Sequence, residues 1–484
     1  MAHVTTVARL SVDPTMLSFV SSPKRTFSEV VFSPGRRARD FIDRVAEASP
    51  ARLAIVSFVA VVALFTVLLL LPISHQNPND ISFARSLLVS VSAVCVTGLS
   101  PVDFQDYWTG FGLVTITLAV QLGGLGILTL ASVLGMVVSK GLGVRQRLIA
   151  MQATNAGSLG QVGSLLRAVV ITALAVESVI FTMLLPRFLM RGEEVGTALW
   201  YSIFYSVSSF NNAGFSIHPG GIAYYADDPW ILFTLMLSVF VGSLGFPVIL
   251  VVTILWNKPR SWDLHTKLTL TTSAILVVVG FFLFFGLEYN NPDTLGNKGF
   301  GATFWETLFM SVMTRSGGFN TIDMALLSPA SHLVTDVLMF IGGGSSSTAG
   351  GVKVTTLAVL VLAAWAEARG YDDVTAFGRR IGHNVVRVAI SVVFAGLGLV
   401  LVGTIALLHV THNSLDMVLF EVISAFGTVG LSVGVTSTAP DSGLYILSAL
   451  MLLGRLGTIT LAAAVSSRST KRLFRYPEER PIIG

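Results

Sequence analysis

Residues 426–434 read FGTVGLSVG, and this stretch admits two interpretations. Gly430, Ser432 and Gly434 match G-x-S-x-G, the nucleophile elbow of a hydrolase, which needs a strand before it, a helix after it and a histidine partner. Thr428, Val429 and Gly430 match TVG, the opening of a potassium-filter loop, which lies within a membrane. The two interpretations predict different folds, and the rest of the chain decides between them.

The composition is that of an integral membrane protein. Apolar residues make up 53% of the chain and charged residues 12%, which is about half the charged fraction of soluble domains. The single cysteine, Cys95, excludes an intramolecular disulfide and a cysteine-based metal cluster. Residues 1–50 are basic and contain no apolar run of spanning length, so we expect a cytoplasmic N-terminal segment there.

Two sets of apolar spans alternate along the chain. The first set covers residues 53–73, 165–185, 268–287 and 385–408, and the second covers 111–138, 231–256, 333–365 and 444–465. Between each first span and its second lies a shorter, semi-polar stretch that ends in glycine. A helix of that length cannot cross a bilayer, so each stretch predicts a re-entrant segment.

The charges set the orientation of these spans. The segments between one pair of spans and the next are basic, whereas the segments inside each pair are richer in acidic residues. The basic residues are Lys140, Arg145 and Arg147; Lys258, Arg260 and Lys267; and Arg369, Arg379, Arg380 and Arg387. The positive-inside rule then places both termini in the cytoplasm and every glycine-ending stretch on the outer side.

The glycine-ending stretches are four copies of one unit. Their last glycines are Gly98, Gly214, Gly318 and Gly430, roughly 110 residues apart. A second glycine follows each of them by roughly 25 residues, inside the next span, at Gly123, Gly242, Gly342 and Gly454. This gives repeats at 51–140, 141–257, 258–366 and 367–470, followed by a cytoplasmic tail at 471–484. Since the other copies lack G-x-S-x-G, the filter interpretation is favoured over the elbow.

The residues around these glycines suit a dehydrated cation, which needs oxygen ligands in place of water. Glycine allows the backbone angles that turn carbonyls toward an axis, and the C-terminal end of each preceding half-length helix favours a cation. The predicted filter residues are Val96, Thr97, Gly98 and Leu99; Asn212, Ala213, Gly214 and Phe215; Ser316, Gly317, Gly318 and Phe319; and Thr428, Val429, Gly430 and Leu431.

With these features the chain resembles the Trk/Ktr/HKT superfamily of potassium transporters, most closely its Ktr-type membrane subunit. The matching segments are residues 93–100, 210–216, 314–323, 342–354, 426–432 and 454–458, within a resemblance over about residues 50–470. The resemblance implies an all-α integral membrane fold: four M1–P–M2 repeats, with eight transmembrane helices and four re-entrant pore helices, around one pseudo-fourfold pore. Residues 1–50 do not supply the two extra N-terminal spans that Trk-type members usually carry.

The resemblance also implies a ligand set and partners. K⁺ would bind the backbone carbonyls of Thr97, Ala213, Gly317 and Val429. Glycine at all four filter positions argues for K⁺ over Na⁺, because some plant relatives that favour Na⁺ carry serine at the first. We expect no cofactor in the chain, K⁺ as the transported ion and Na⁺ as a candidate activator. The expected partners are a second copy of the chain and a cytosolic ring of nucleotide-binding (RCK/KTN-type) subunits. The basic inner segments could serve that ring or anionic lipid; no nucleic-acid partner is expected.

Residues 342–351, GGGSSSTAGG, interrupt the third repeat's second span. A linker is disfavoured because apolar runs bracket the stretch, and a phosphate loop fails because Val352 separates Gly351 from Lys353. The resemblance implies an intramembrane loop that obstructs the pore. The predicted gate comprises Gly342, Gly343, Gly344, Ser345, Ser346, Ser347, Thr348, Ala349, Gly350, Gly351, Lys353 and Arg455.

Arg455 stands in the register that Gly124, Ser243 and Gly343 occupy in the other copies. A charge inside a membrane is a functional hypothesis by default. The alternatives are an arginine that snorkels or one that pairs with an acid. We favour a pore-facing arginine that repels cations and bonds to the loop.

Several other charged residues lie in or near apolar segments. We expect Glu306 and Glu421 in the pore helices, where they could bond to filter-loop amides. Arg315 is a plausible partner for an acid, and structural pairing is the expectation for Glu177 and Glu288. No coupling role is assigned to any of them.

Three functions are compared. The leading one is a gated, channel-like K⁺ translocation subunit in the cell membrane of a bacterium. The alternative is a K⁺ symporter coupled to Na⁺ or H⁺, but no cluster of acids accompanies the broken span. A membrane enzyme is disfavoured, because no catalytic constellation of histidine with serine or an acid occurs inside the spans.

Overall fold

The computed structural model describes residues 50–126 and 161–467, with side chains described for residues 55–126 and 167–457. The described chain is almost entirely helical. In chain order the helices are α1 (Pro50–Leu69), α2 (Phe83–Cys95), α3 (Phe104–Tyr107), α4 (Gly110–Gly124), α5 (Gln161–Met190), α6 (Val195–Phe210), α7 (Pro229–Leu244), α8 (Phe246–Ile254), α9 (Leu264–Glu288), α10 (Phe300–Met313), α11 (Pro329–Phe340), α12 (Val354–Ala368), α13 (His383–Val410), α14 (Leu415–Gly427), α15 (Val435–Thr438) and α16 (Asp441–Ser467). Short 3₁₀ turns occur at Pro72–Ser74, Gly221–Tyr225, Pro259–Ser261 and Met324–Leu326.

Parts of the sequence-based prediction fall on residues that the structure does not describe. These are the N-terminal segment before Pro50, the basic inner segment with Lys140, Arg145 and Arg147, and the C-terminal tail at 471–484.

Three of the described helices are long and apolar enough to cross a bilayer unaided. They are α9, α13 and the part of α5 from Arg167 to Met190. Helices α7 and α8 together reach the same length, but they meet at an angle of 101°. The described apolar parts of α1, α2, α4 and α12 are shorter, and α4 stops just before the described region ends. Helix α16 is 27 residues long, with side chains described only up to residue 457. The fold is thus helical and membrane-like, and the count of eight spans stays a prediction.

Capping residues determine where several helices begin. Asp228 accepts hydrogen bonds from the backbone N–H groups of Trp230 and Ile231 at the start of α7, with Pro229 in the first turn. Ser328 caps α11 in the same way, through the N–H of Ser331. A polar cap followed by proline satisfies the free N–H groups of a helix start and presets its first φ angle. These helices therefore begin at fixed points on the side predicted to be outer.

The half-length helices α2, α6, α10 and α14 are 13 to 16 residues long. At 1.5 Å per residue they span roughly 20–24 Å, less than the roughly 30 Å of a hydrocarbon core. Each half-length helix packs against the main helix that follows its counterpart in the preceding repeat. The pairs are α4 with α6, α7 with α10, α11 with α14, and α16 with α2. The last of these contacts joins the end of the chain to its beginning, so the series of contacts is closed.

The second glycine register allows close helix packing. In three copies this glycine lies against the end of its own half-length helix, and an added β-carbon would collide with a backbone carbonyl oxygen there. The pairs and distances are Gly123 with Val94 at 2.1 Å, Gly242 with Phe210 at 2.0 Å, and Gly454 with Phe426 at 1.9 Å. In the third copy, Gly342 lies against Gly350 of the interrupting loop instead. The register is therefore a packing requirement.

The second span of repeat 2 differs from its sequence-based prediction. A continuous span was expected at 231–256, whereas the chain bends sharply at Gly245 between α7 and α8. Gly245 has φ 94° and ψ 144°, and Pro247 occupies the first turn of α8. A residue with positive φ ends one helix, and the proline's missing N–H is tolerated only at the start of the next. In the sequence this bend is marked by Gly245, Phe246 and Pro247.

A small β-hairpin departs from the all-α prediction. Strands β1 (Val374–Ala376) and β2 (Arg379–Ile381) pair antiparallel between α12 and α13. The two connecting residues, Phe377 and Gly378, have φ angles of 51° and 73°, as a two-residue hairpin turn requires. Val374 and Ile381 are buried in an apolar cluster with residues of α12 and α13. The hairpin therefore lies in a segment predicted to be inner and basic.

Gly242→Ala tests the close packing. The added methyl group would have to displace the backbone of Phe210, and overpacking of this kind costs about 1–3 kcal/mol of folding free energy. We expect a lower midpoint of thermal unfolding for the purified protein in detergent. Gly398→Ala in α13 is the matched control, because no atom lies within 4 Å of its added β-carbon. Equal midpoints for Gly242→Ala and the wild type would contradict the packing requirement.

Candidate functional site

The four predicted filter loops follow α2, α6, α10 and α14, and they contact one another in sequence. The filter glycine of each loop lies against a backbone carbonyl oxygen of the next loop. That oxygen belongs to the residue just before the next loop's own filter glycine. The pairs are Gly98 with Ala213, Gly214 with Gly317, Gly318 with Val429, and Gly430 with Thr97, where an added β-carbon would lie 2.2, 2.7, 2.6 and 2.1 Å from the oxygen. The loops thus form a closed ring, called here the carbonyl ring, from Thr97, Ala213, Gly317 and Val429.

Three of the four loops are built in the same way. In each of them the residue with the carbonyl oxygen donates its N–H to a serine carbonyl five residues earlier: Thr97 to Ser92, Ala213 to Ser208, and Val429 to Ser424. The residue before it has a positive φ although it is not glycine: Val96 at 58°, Asn212 at 60° and Thr428 at 49°. Such angles cost energy and persist only where the surroundings enforce them.

Serine side chains hold these loops to their helices. Ser92 Oγ accepts a hydrogen bond from the Gly98 N–H at 3.0 Å, and Ser424 Oγ accepts one from the Gly430 N–H at 3.1 Å. Ser208 Oγ instead donates to the carbonyl of Phe215 at 3.0 Å. These serines were not predicted, although a serine stands six residues before the filter glycine in three of the four copies.

The third loop is constructed differently. Val312 stands where the other copies have serine, and Gly317 donates its N–H to the Met313 carbonyl at 2.8 Å, a tighter turn. Ser316 does not have a positive φ. The third corner of the carbonyl ring therefore has no serine tether of this kind.

Arg315 corrects a prediction. The sequence made it a plausible partner for an acid, but it is 2% exposed, and its Nε and Nη1 atoms have no hydrogen-bond partner within the described part of the chain. Its guanidinium carbon lies 5.9 Å from the centre of the Phe240 ring. The cation therefore contacts an aromatic face behind the third loop instead of a carboxylate.

Residues 341–353 form a loop between α11 and α12, and this loop occupies the bend at Gly245. Gly344 donates its N–H to the Ser243 carbonyl at 2.7 Å, and Phe246 donates its N–H to the Ser346 carbonyl at 3.3 Å. A β-carbon on Gly245 would lie 2.5 Å from the Ser345 carbonyl oxygen. The broken span of repeat 2 and the interrupted span of repeat 3 thus satisfy each other's backbone groups, as non-helical backbone at membrane depth requires.

The same loop reaches the fourth filter loop. A β-carbon on Gly350 would lie 2.1 Å from Thr428 Oγ1, and one on Gly351 would lie 3.3 Å from the Gly427 α-carbon. Thr348 Oγ1 donates to the Gly242 carbonyl at 3.0 Å. The loop therefore lies directly beside the carbonyl ring, between the repeat 2 and repeat 4 elements.

Two cationic side chains bond to backbone carbonyl oxygens of this loop. Arg455 is 5% exposed; its Nη1 donates to the Thr348 carbonyl, and its Nη2 donates to the Gly123 carbonyl at 3.2 Å. Lys353 Nζ donates to the Ala349 carbonyl at 2.6 Å. Both side chains bond to carbonyl oxygens, and no acid pairs with either among the residues that the structure describes. A gating role for these contacts remains a prediction.

The buried acids have different partners. Glu421 accepts hydrogen bonds from the N–H groups of Val433 and Thr436, at 3.2 and 3.0 Å, and from the hydroxyls of Ser432 and Thr436. It therefore fixes the segment that follows the fourth filter loop, close to the amides that the sequence suggested. Glu306, by contrast, forms an ion pair with Lys298 at 2.6 Å.

Glu177 and Glu288 have local polar partners. Glu288 accepts hydrogen bonds from Asn291, Thr294 and the backbone of Ser328. Glu177 lies at the middle of α5, not near a span end, and accepts hydrogen bonds from the side-chain amides of Gln121 and Asn211.

A histidine lies in the segment that follows the second filter loop. His218 Nδ1 is 2.5 Å from Tyr205 Oη, and its Nε2 is 2.6 Å from Tyr225 Oη. Tyr205 Oη is also 2.8 Å from Ser216 Oγ. Burial, and then the positive charge of Arg191, lower the pKa of His218 from 6.5 to about 4. The imidazole is therefore neutral at physiological pH and links two tyrosines.

The arrangement can be compared with known proteins. A family model described as "TrkH: Cation transport protein" matches residues 49–473 of this chain. The chain belongs to this family. The resemblance found in the sequence is thereby confirmed, and the cation transport family supplies no support for an enzyme.

Individual TrkH-family relatives match nearly the whole chain. The Ktr system potassium uptake protein B of Vibrio alginolyticus is 35% identical over 91% of this chain and 96% of its own length. Its namesake from Bacillus subtilis is 32% identical, covering 90% and 97%. The potassium/sodium uptake protein NtpJ of Enterococcus hirae is 31% identical, again covering 90% and 97%.

A solved structure supports the TrkH-family fold. The crystal structure of the potassium transporter TrkH from Vibrio parahaemolyticus superposes with a TM-score of 0.65, covering 86% of this chain and 85% of that one, at 19% sequence identity. At that identity the match concerns the fold alone.

The lowered pKa of His218 predicts that the segment after the second filter loop is sensitive to acid. Because the folded protein holds this histidine neutral, the unfolded chain binds more protons once the pH falls below 6.5. The contribution of His218 to the free energy of unfolding is thus full above that pH and is lost as the pH falls toward about 4. The loss amounts to roughly 2 kcal/mol between about pH 7 and pH 5. We expect the unfolding midpoint to fall less over this range in His218→Gln than in the wild type; parallel curves would contradict the assignment.

Proposed function

We propose that this chain is the ion-translocating subunit of a potassium uptake system, and that K⁺ crosses the membrane through the carbonyl ring. The observation that carries the proposal is the ring of contacts among the four loops. Each loop contributes one uncharged backbone carbonyl, which lies against the filter glycine of a neighbouring loop. Rings of backbone carbonyls replace the hydration shell of K⁺ in channels. The names of the Vibrio and Bacillus relatives, potassium uptake proteins, favour the same ion.

The architecture that we propose is four M1–P–M2 repeats around one pseudo-fourfold axis. It is supported by the closed series of packing contacts, in which each half-length helix meets the second span of the preceding repeat. The C-terminal ends of α2, α6, α10 and α14 lead directly into the ring. Their negative partial charges would favour a cation there.

The proposed gate is the loop at 342–351 with Lys353 and Arg455. Two observations support the proposal that this loop is a barrier to ions. It lies beside the carbonyl ring, and it contacts Ser243, Phe246 and Thr428. The buried charge of Arg455 would repel K⁺ and at the same time hold Thr348 in place. Release of this arginine would open the pathway.

Channel-like permeation is proposed over ion coupling. No group of three or more metal-ligating histidine, cysteine or acidic side chains occurs among the described residues. The alternative is a K⁺ symporter coupled to Na⁺ or H⁺, and the name of the Enterococcus relative, a potassium/sodium uptake protein, favours Na⁺. Competition by Na⁺ in a flux assay separates the two.

The proposed assembly is a homodimer in a bacterial cell membrane, with both termini cytoplasmic and a nucleotide-binding regulatory ring beneath it. The word "system" in the relatives' names supports a separate partner. The β1–β2 hairpin, with exposed Arg379 and Arg380, is a candidate contact for that ring or for anionic lipid.

Replacing a ring glycine tests the ion pathway. Gly98→Ser places a side chain 2.2 Å from the Ala213 carbonyl at a φ of 101°, so the first and second loops must separate. We expect K⁺ flux into liposomes to fall at least roughly tenfold, and selectivity over Na⁺ to be lost, because one corner of the ring is displaced. Gly430→Ser should act alike.

The matched control for these variants is Gly286→Ala in α9, where an added β-carbon meets no atom within 4 Å. It should transport K⁺ like the wild type. Unchanged K⁺ selectivity in both serine variants would exclude the carbonyl ring as the selective element.

Removing the buried arginine tests the gate. Arg455→Ala deletes the bond to the Thr348 carbonyl and the positive charge beside the pathway. We expect basal K⁺ flux of the protein without partners to rise roughly tenfold, since the barrier for a cation is mainly electrostatic. The control is Arg387→Ala, at an exposed arginine near the start of α13. Flux equal to that of the wild type would exclude Arg455 from the gate.

A further inference from the structure

A carboxyl group at the middle of α5 lies against the end of the second half-length helix. Glu177 is 7% exposed, and its Oε1 accepts a hydrogen bond from Asn211 Nδ2 at 3.1 Å. Its Oε2 accepts one from Gln121 Nε2 at 3.2 Å. Asn211 Nδ2 also donates to Gln121 Oε1 at 3.0 Å. Three side chains from α5, α4 and the end of α6 therefore form one buried polar cluster.

No cation accompanies this carboxyl in the described part of the chain. Helices α4, α7 and α8, which surround the site, carry no ionisable residue. Helix α6 carries only Tyr201 and Tyr205, and the Tyr205 hydroxyl is bonded to Ser216 and His218. On α5 itself, Arg167 and Arg187 are each ten residues away, roughly 15 Å along the helix. Arg187 is already paired with Asp228 at 2.7 Å. Arg455 of α16 reaches α4 at the Gly123 carbonyl, to which its Nη2 donates at 3.2 Å. Among the described residues Glu177 thus has two amide donors and no ion pair.

The described surroundings of the carboxyl are mainly apolar. An apolar cluster of Val169, Ala173, Phe210 and Phe246, with Val176 packed against it, lies beside the carboxyl. A carboxylate that is buried without a cation costs many kcal/mol, and in practice such a group holds a proton instead. Two neutral hydrogen bonds do not offset that cost. The neutral acid avoids this cost, and its O–H then requires an acceptor, which the unpaired Asn211 Oδ1 supplies if the Asn211 amide is rotated.

The cluster is linked to the carbonyl ring. Asn211 follows the last residue of α6 and is separated from Ala213 by a single residue. Within the described part of the chain its Oδ1 is buried without a hydrogen-bond partner, and a β-carbon on Gly124 would lie only 1.8 Å from it. Asn211 is therefore confined between α4 and α5. An ionised Glu177 would have to draw water or a cation into this contact, which displaces Asn211 and the second corner of the ring.

We propose that Glu177, with Gln121 and Asn211, is a proton-binding site inside the membrane, and that loss of its proton reduces ion flux by displacing the second filter loop. The proton comes from water and binds one carboxylate oxygen, so that the acid is neutral. The site stands on its own geometry; its effect on flux rests on the proposed function.

Infrared difference spectroscopy tests the proton site without any transport assay. The wild-type spectrum minus that of Glu177→Gln, at about pH 7, should show the carbonyl stretching band of a buried, protonated carboxylic acid, shifted in D₂O. Glu367→Gln is the control, because Glu367 is exposed at the end of α12 and should give carboxylate bands. Carboxylate bands for Glu177 at this pH would overturn the proposal.

Flux into liposomes tests the consequence. We expect K⁺ flux of the wild type to fall roughly tenfold as the pH is raised from neutral into the alkaline range, whereas Glu177→Gln stays constant and Glu367→Gln follows the wild type. A pH dependence that survives in Glu177→Gln, or wild-type flux that does not change with pH, would overturn control of the pathway by this site. If Arg455→Ala also fails to conduct, the proposed function fails, and the infrared result still decides the proton site.

Discussion

The contact between a carbonyl oxygen and a residue without a side chain is the constraint on which this structure depends. Four loops bring their backbones together so closely that a single methyl group on any of the four ring glycines would lie within 2.7 Å of a backbone oxygen of the next loop. A carbonyl ring built this way has no spare room. Its dimensions are set by backbone against backbone, which is stiffer than contact through rotatable side chains.

The rest of the fold maintains that contact. The second glycine register lets each following helix approach the end of a half-length helix, at Val94, Phe210 and Phe426. Serine side chains then tie three loops to their own helices. The bend at Gly245 admits the loop from repeat 3 beside the ring. Each device acts on the backbone, and together they account for the many glycines and serines at membrane depth.

Much of this could be predicted from the sequence because it repeats. Four aligned copies identified the ring glycines and the second register, and a run of glycine and serine marked the loop at 342–351, since helix propensity there is poor. The family resemblance drawn from these motifs was correct.

Features that occur once were harder to predict. The bend at Gly245 was missed because an apolar run reads as one span whether or not it turns. The β1–β2 hairpin was missed because three-residue strands carry almost no periodic signal. Arg315 was a plausible partner for an acid but contacts none among the described residues, because a one-dimensional pattern does not reveal which helix faces a side chain. Long-range partners such as Gln121 and Asn211 depend on the packing of α4, α5 and α6 and cannot be read from spacing.

The exception in the third copy has a mechanical consequence. The loop with Val312 in place of serine belongs to the same repeat as the interrupted span, so the untethered corner of the ring and the loop at 342–351 are joined through α11 along one stretch of chain. Three corners have a serine side-chain hydrogen bond, and the corner of the third repeat lacks it. Strain in that repeat would reach the ring along the chain at this corner and, through the contact of Gly350 with Thr428, at the corner formed by Val429.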